Sequence, residues 1–189
     1  MYPFVIHLDR MMRVIGTYDA NADETSWTLP VADDSLDTIV LSNTFGDNAG
    51  ETLEPDTNSA GTVTKSGDWS NGEVVIGRSF TQSIELSRVY VRDRNDRADT
   101  DAWVQIRETV ASFQDTQGLM IRSRMPRRQD RITRLMGERI RDRDELNAWH
   151  NGNASDMRQF LEQSTAKPCT ITAVEYMVDY APRLGEPTR

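Results

Sequence analysis

Apolar residues in this 189-residue chain recur mainly at a spacing of two, the signature of half-buried strands. The pattern is densest from Gly72 to Ser123, GEVVIGRSFTQSIELSRVYVRDRNDRADTDAWVQIRETVASFQDTQGLMIRS. Phe80, Ile84 and Leu86 share one parity, and Val89 and Val91 take the other. A strand's side chains alternate faces, so the switch near Ser87–Arg88 implies a bulge or a change of partner strand. The run Trp103 to Phe113 places Val104, Ile106 and Val110 on one face and Trp103 and Phe113 on the other. A turn at Asp115–Gly118 leads to a short strand at Leu119–Ile121. The polar interval Arg92–Asp101 reads as a solvated loop.

Upstream, Phe4–Leu8 and Met11–Tyr18 are short apolar runs, DANADE at Asp19–Glu24 is a turn, and Thr25–Leu29 completes a hairpin. Leu36–Leu41 predicts another strand. Residues 42–71 are rich in Gly, Asn, Asp, Ser and Thr and read as a long acidic loop with a weak strand at Gly61–Lys65. Downstream the pattern is ambiguous. Ile132, Leu135, Met136 and Ile140 fit a helical stripe, and Ser155 suits the cap of a helix carrying Met157, Phe160 and Leu161. Asn151–Gly152 is a favoured hairpin turn. We take strands here, with a short helix within 129–164 as the alternative. Cys169–Tyr180 is a clear strand, with Val174, Tyr176 and Val178 on one face and Cys169, Ile171, Ala173 and Met177 on the other. Two apolar faces predict a central or covered strand. The fold class is therefore all-β, an antiparallel sandwich or barrel-like domain over 1–180 with long loops, followed by a flexible tail at 181–189.

Charge changes the picture more than composition does. The net charge is −8, which disfavours unspecific nucleic-acid binding. Twelve acids and one base, Lys65, fall within Asp19–Glu73, whereas Arg122–Arg143 holds nine arginines against three acids. The arginine run lacks interleaved aromatics, so an ion-pairing protein surface fits it better than a nucleic-acid patch. Its expected partner is the acidic Asp19–Glu73 segment, in the same chain or a neighbouring copy. A hydrophobic fraction of 37% suggests an elongated domain or one embedded in an assembly. The first nine residues lack the basic start of a signal peptide, and no run is long enough for a membrane helix. The expectation is a product made in the cytoplasm, without stable membrane insertion.

Candidate chemistry is sparse. Asp19, Asn21 and Asp23 match the opening of a calcium loop, but Glu24 and Pro30 stand where glycine and a bidentate glutamate belong. The plain reading is a turn. Two histidines, His7 and His150, and one cysteine, Cys169, do not make a zinc site of ordinary spacing. A Cys169–His150 pair would supply a nucleophile and a base, yet Cys169 opens a β run and reads as a small packed hydrophobe. No nucleophile elbow, phosphate loop or dinucleotide fingerprint is present. The expectation is no catalytic set, no metal and no cofactor.

Several blocks in order carry a family likeness: HLDRMMRVIGTYDANADETSWTLP, GDWSNGEVVIGRSF, LSRVYVRD, VQIRETVASFQDTQGLMIRS and KPCTITAVEYMVDYAPR. Together they resemble the C-terminal part of the tail tubular protein B family, the nozzle proteins of short-tailed bacteriophages. Members commonly carry a large preceding region that includes a β-propeller, which has no counterpart here. Residues 124–156 match least well. The resemblance implies a structural, non-enzymatic virion protein: a homohexameric ring at the tail end, held to tail adaptor and tail fibre proteins, through which viral DNA passes without specific binding. In such a ring the acids Asp33, Asp34, Asp37, Asp47, Glu51, Glu54 and Asp56 are expected at the channel. Arg122, Arg124, Arg127, Arg128, Arg131 and Arg134 are expected at the subunit interface. The rival expectation is a β-rich module that recognises a carbohydrate or host receptor through Ser42–Asn71.

Overall fold

The computed structural model describes residues 2–92, 98–99, 103–135 and 140–181. Of the tail expected at 181–189, only Ala181 is described, and it closes a strand; residues 182–189 and most of the Arg92–Asp101 interval lie outside the described residues. The chain forms two compact units, Met1–Thr81 with Ser164–Pro168, and Gln82–Gln163 with Cys169–Arg189. Both are all-β and antiparallel.

The first unit contains β1 (Asp9–Ile15), β2 (Thr17–Asp19), β3 (Glu24–Thr28), β4 (Thr38–Leu41), β5 (Thr52–Leu53), β6 (Thr57–Ser59), β7 (Thr62–Ser66) and β8 (Glu73–Arg78). One sheet runs β1-β8-β4-β5 and the other β2-β3-β7-β6. They face each other over a core of Val14, Trp27, Leu29, Leu36, Ile39, Leu41, Val63, Val74 and Ile76. β8 and β4 are apolar on both faces because both are covered. Behind them Leu8, Val40 and Val75 pack with Ala166, and Tyr2, Phe4 and Ile6 close the edge. The His7 N–H donates to the Ala166 carbonyl at 2.8 Å, which ties the 164–168 strap to this sandwich.

The expected hairpin across DANADE is β2–β3. The expected loop at 42–71 is corrected: it holds a 3-10 turn at Asn43–Asn48 and the strands β5, β6 and β7. β7 lies between β3 and β6, with Val63 fully buried. It is the weak strand expected at Gly61–Lys65, and threonine-rich sequence muted its signal, since Thr57 pairs with Thr64 and Ser59 with Thr62 on a polar outer face.

The second unit contains β9 (Gln82–Glu85), β10 (Val91–Arg92), β11 (Ala98–Asp99), β12 (Trp103–Thr116), β13 (Met120–Arg124), β14 (Arg131–Arg134), β15 (Arg141–Asn153), β16 (Arg158–Gln163) and β17 (Thr170–Ala181). The sheets β15-β12-β17 and β14-β13-β16-β9 enclose Ala111, Phe113, Leu119, Ile121, Leu146, Ala148 and Leu161. β10 and β11 form a separate two-stranded ribbon.

Four expectations are corrected in this unit. The run Phe80–Val91 is not one strand: β9 ends at Glu85, and Leu86 packs on the main core while Val89 and Val91 join a second cluster with Val104, Ile106 and Met157. In β12 both registers slip between Ile106 and Glu108, so Arg107 lies at a bulge. Buried positions move from Val104 and Ile106 to Thr109, Ala111 and Phe113, which separates Phe113 from the exposed Trp103. Asn151–Gly152 is no turn; it continues β15, and Gly152 pairs with Ile106. Here a Cβ would meet the sulfurs of Met125 and Met157 at 3.0 Å, so close packing explains the glycine. β17 is an edge strand among the described residues, and its outer apolar side chains are exposed, Met177 at 59%. No helix occupies the described part of 129–164. Ser155 belongs to a turn, where its N–H donates to Asn153 Oδ1 at 3.0 Å, and β14 and β16 are strands.

Candidate interaction surfaces

The outward face of β14-β13-β16-β9 gathers much of the arginine run. In register, Arg122 stands beside Ile132 and Phe160, Met120 beside Arg134 and Glu162, and Arg124 beside Arg158. The Arg122 guanidinium lies 4.6 Å from the Phe160 ring centre and that of Arg124 5.7 Å. Arg122 also donates through Nε to Glu162 Oε2 at 3.1 Å and through Nη2 to Oε1. Asp130 accepts from Arg122 Nη1 and Arg124 Nε, each at 3.3 Å. The carboxylate of Glu162 raises the Arg122 pKa further above its ordinary range. Arg158 pairs with Glu85 at 3.8 Å.

Thus Arg122 and Arg124 of the expected interface set are joined, and their acids come from the same sandwich rather than from Asp19–Glu73. Arg127 and Arg128 are exposed in the β13–β14 turn, and Arg131 and Arg134 are exposed on β14. The sequence pattern offers Phe160 only as part of a possible helix and does not single out Glu162. The alternation Gln159, Leu161, Gln163 in β16 is the signal that points Phe160 and Glu162 to the other face.

The acidic residues divide into two kinds. Asp33 accepts from the Ser35 hydroxyl and backbone and from Arg10 at 2.8 Å; these bonds hold its carboxyl well below the usual range. Asp56 accepts from Lys65 at 2.7 Å and from Ser66, with the same result. For Asp37, burial opposes ionisation, but the Ser79 N–H and hydroxyl, both at 2.7 Å, outweigh it and lower the pKa. These three serve turns and pairing. Asp34, Asp47, Glu51 and Glu54 are exposed. Asp19 and Asp23 serve the hairpin: Asn21 N–H donates to Asp19 at 2.9 Å, and the Tyr18 hydroxyl donates to Asp23 at 2.7 Å.

His150 and Cys169 have separate partners. His150 is 7% exposed, and its Nδ1 lies 3.2 Å from Ser123 Oγ, while Nε2 is enclosed with no hydrogen-bond partner among the described residues. Burial first, then the charge of Arg131, pushes its pKa down to about 4. Cys169 is half-buried beside Leu119, Leu161 and Ile171 in a surface cavity of about 310 Å³. Burial raises its thiol pKa, the reverse of an activated nucleophile.

Compared with known families, residues 1–185 match the one described as bacteriophage nozzle protein. No curated protein matches the chain.

Proposed function

The chain belongs to the bacteriophage nozzle protein family, and from that premise we propose that copies of it close into a ring, a hexamer, around the channel through which a short-tailed phage ejects its DNA. Family membership makes it a structural component of the virion tail. In our reading the ring is held to tail adaptor and tail fibre proteins, DNA passes without specific binding, and no part inserts stably into a membrane. The match over residues 1–185 carries this reading.

Electrostatics supports the channel part. A lumenal cation would make phosphate contacts that retard a moving duplex, whereas a negative wall holds DNA off the surface over about 8 Å at physiological salt. Asp34, Asp47, Glu51 and Glu54 are exposed in the first sandwich and are the residues we assign to the channel or its mouth. Asp33, Asp37 and Asp56 contribute charge nearby while fixing turns. The arginines of the second sandwich then face protein.

Particle reconstruction tests the ring directly: density for this chain at the tail end is expected, and its absence there refutes the reading. Replacing Asp47, Glu51 and Glu54 by lysine tests the lining. Slower ejection at low salt is expected; normal kinetics with the lysines lumenal, or lysines on the outside, refutes the assignment.

A further inference from the structure

The second sandwich exposes two outward faces of opposite character. On β15-β12-β17 the register aligns Trp149, Glu108 and Met177 in one row, Asn147, Val110 and Glu175 in the next, and Glu145, Ser112 and Ala173 in a third. Trp149 is 60% and Met177 59% exposed, while Glu108 between them is only 6% exposed. Trp103, also exposed, extends the same band. Glu108, Glu145, Glu175 and Asp179 give this face its acids against Arg107, Arg141 and Arg143, of which Arg107 is already paired with Asp179 at 2.5 Å and Arg141 with Asp144. The opposite face carries Arg122, Arg124, Arg134 and Arg158 against Glu85, Glu162 and Asp130, with the surplus of positive charge extended by Arg127 and Arg128 at its margin.

We infer that these faces are complementary: the arginine face of one copy seats on the Trp149–Glu108–Met177 face of the next. The inference rests on the ring reading and names the surfaces that build it. Exposed tryptophan and methionine beside a largely desolvated carboxylate form a site for guanidinium groups, which stack on indole and pair with carboxylate at once. Phe160 holds the Arg122 and Arg124 guanidinium planes against the sheet, so little side-chain freedom is lost on contact. A two-fold contact would set arginines against arginines, at a cost of like-charge repulsion. A contact between unlike faces is head-to-tail, and head-to-tail contacts close into rings when the rotation per copy permits. The occupant is a second copy because one chain carries both halves of the match.

Phage particles provide the test. In a Cys169→Ser background, Arg134→Cys and Glu175→Cys place one thiol on each face, and a bismaleimide reagent links thiols that lie close together. A ladder of covalent multimers is expected from the double variant, with monomer alone from each single variant. Particles that contain the chain at the tail but give no ladder overturn the pairing and leave the ring reading standing. Absence of the Cys169→Ser control chain from the tail end strikes the ring reading itself. As a second arm, Arg134→Glu with Arg158→Glu should lower incorporation at least about tenfold, and Glu145→Arg with Glu175→Arg should restore it. Unchanged incorporation, or loss without rescue in a chain that folds, overturns the pairing.

Discussion

A Cβ placed on Gly16 would lie 2.6 Å from Trp27 Nε1, and 2.6 Å from the Thr25 methyl on the same strand. Gly16 joins β1 to β2, and the fully buried indole of Trp27 fills the space a side chain would need. Trp27 centres the first core and cannot yield without disturbing Val14, Leu36 and Val63. Gly16→Ala should therefore destabilise the protein by about 2–3 kcal/mol, measured by urea unfolding with tryptophan fluorescence. A change below about 0.5 kcal/mol would show that the indole shifts freely.

His150 predicts a pH dependence with a definite sign. Its pKa is near 4 in the fold and about 6.5 when unfolded, so the unfolded chain binds the proton more readily. This stabilising contribution is complete above pH 6.5 and declines as pH falls toward 4, by on the order of 1–3 kcal/mol. The aspartates with lowered pKa lose their contribution only below the ordinary aspartate range, so the window from 6.5 to 4.5 isolates the histidine. His150→Gln should flatten unfolding midpoints across that window, and an unchanged slope would contradict the assignment.

Arg122 and Glu162 should behave as a unit. Glu162 is 8% exposed and accepts from Arg122 and from Ser83 at 3.1 Å. Arg122→Leu leaves a desolvated carboxylate without its cation and should cost about 2 kcal/mol. Arg122→Leu combined with Glu162→Leu should recover most of that loss, because the two leucines extend the apolar surface around Phe160. A double-mutant cycle with no coupling would contradict the pairing.

Cys169 is expected to act through packing alone. Cys169→Ser should lower stability by about 1 kcal/mol or less and leave infectivity intact. Loss of infectivity in a chain that still folds and enters particles would reveal a chemical role.

Much of the fold was legible because period two is a local property. β2–β3, β4, β7, β12, β13 and β17 all announce themselves in the sequence. What misled were features set by partners distant in the chain. The slip at Arg107 is invisible in sequence, yet it turns Phe113 inward and Trp103 outward. β15 hid because its buried positions, Leu146, Ala148, His150 and Gly152, include only one large apolar residue. Alternation was present but weakly hydrophobic, and Asn151–Gly152 outweighed it. The two apolar faces of β17 suggested burial on both sides, whereas one faces outward. The acidic segment was visible as a count. That Asp33 answers Arg10 and Asp37 answers Ser79 required pairings across 23 and 42 residues.

The 164–168 strap sets an order of events during synthesis. Residues up to Thr81 contain every strand of the first sandwich, but Ala166, which packs on Leu8, Val40 and Val75, is made well after them. At bacterial rates the ribosome needs roughly 4–17 s to add the intervening residues. Throughout that interval the back of β4 and β8 lacks its final cover, and the chain that supplies it must first traverse most of the second sandwich. Completion of the N-terminal half is thus timed by the C-terminal half. A nascent or truncated chain displays an apolar patch that the finished protein conceals, which marks unfinished copies as distinct from those ready to assemble.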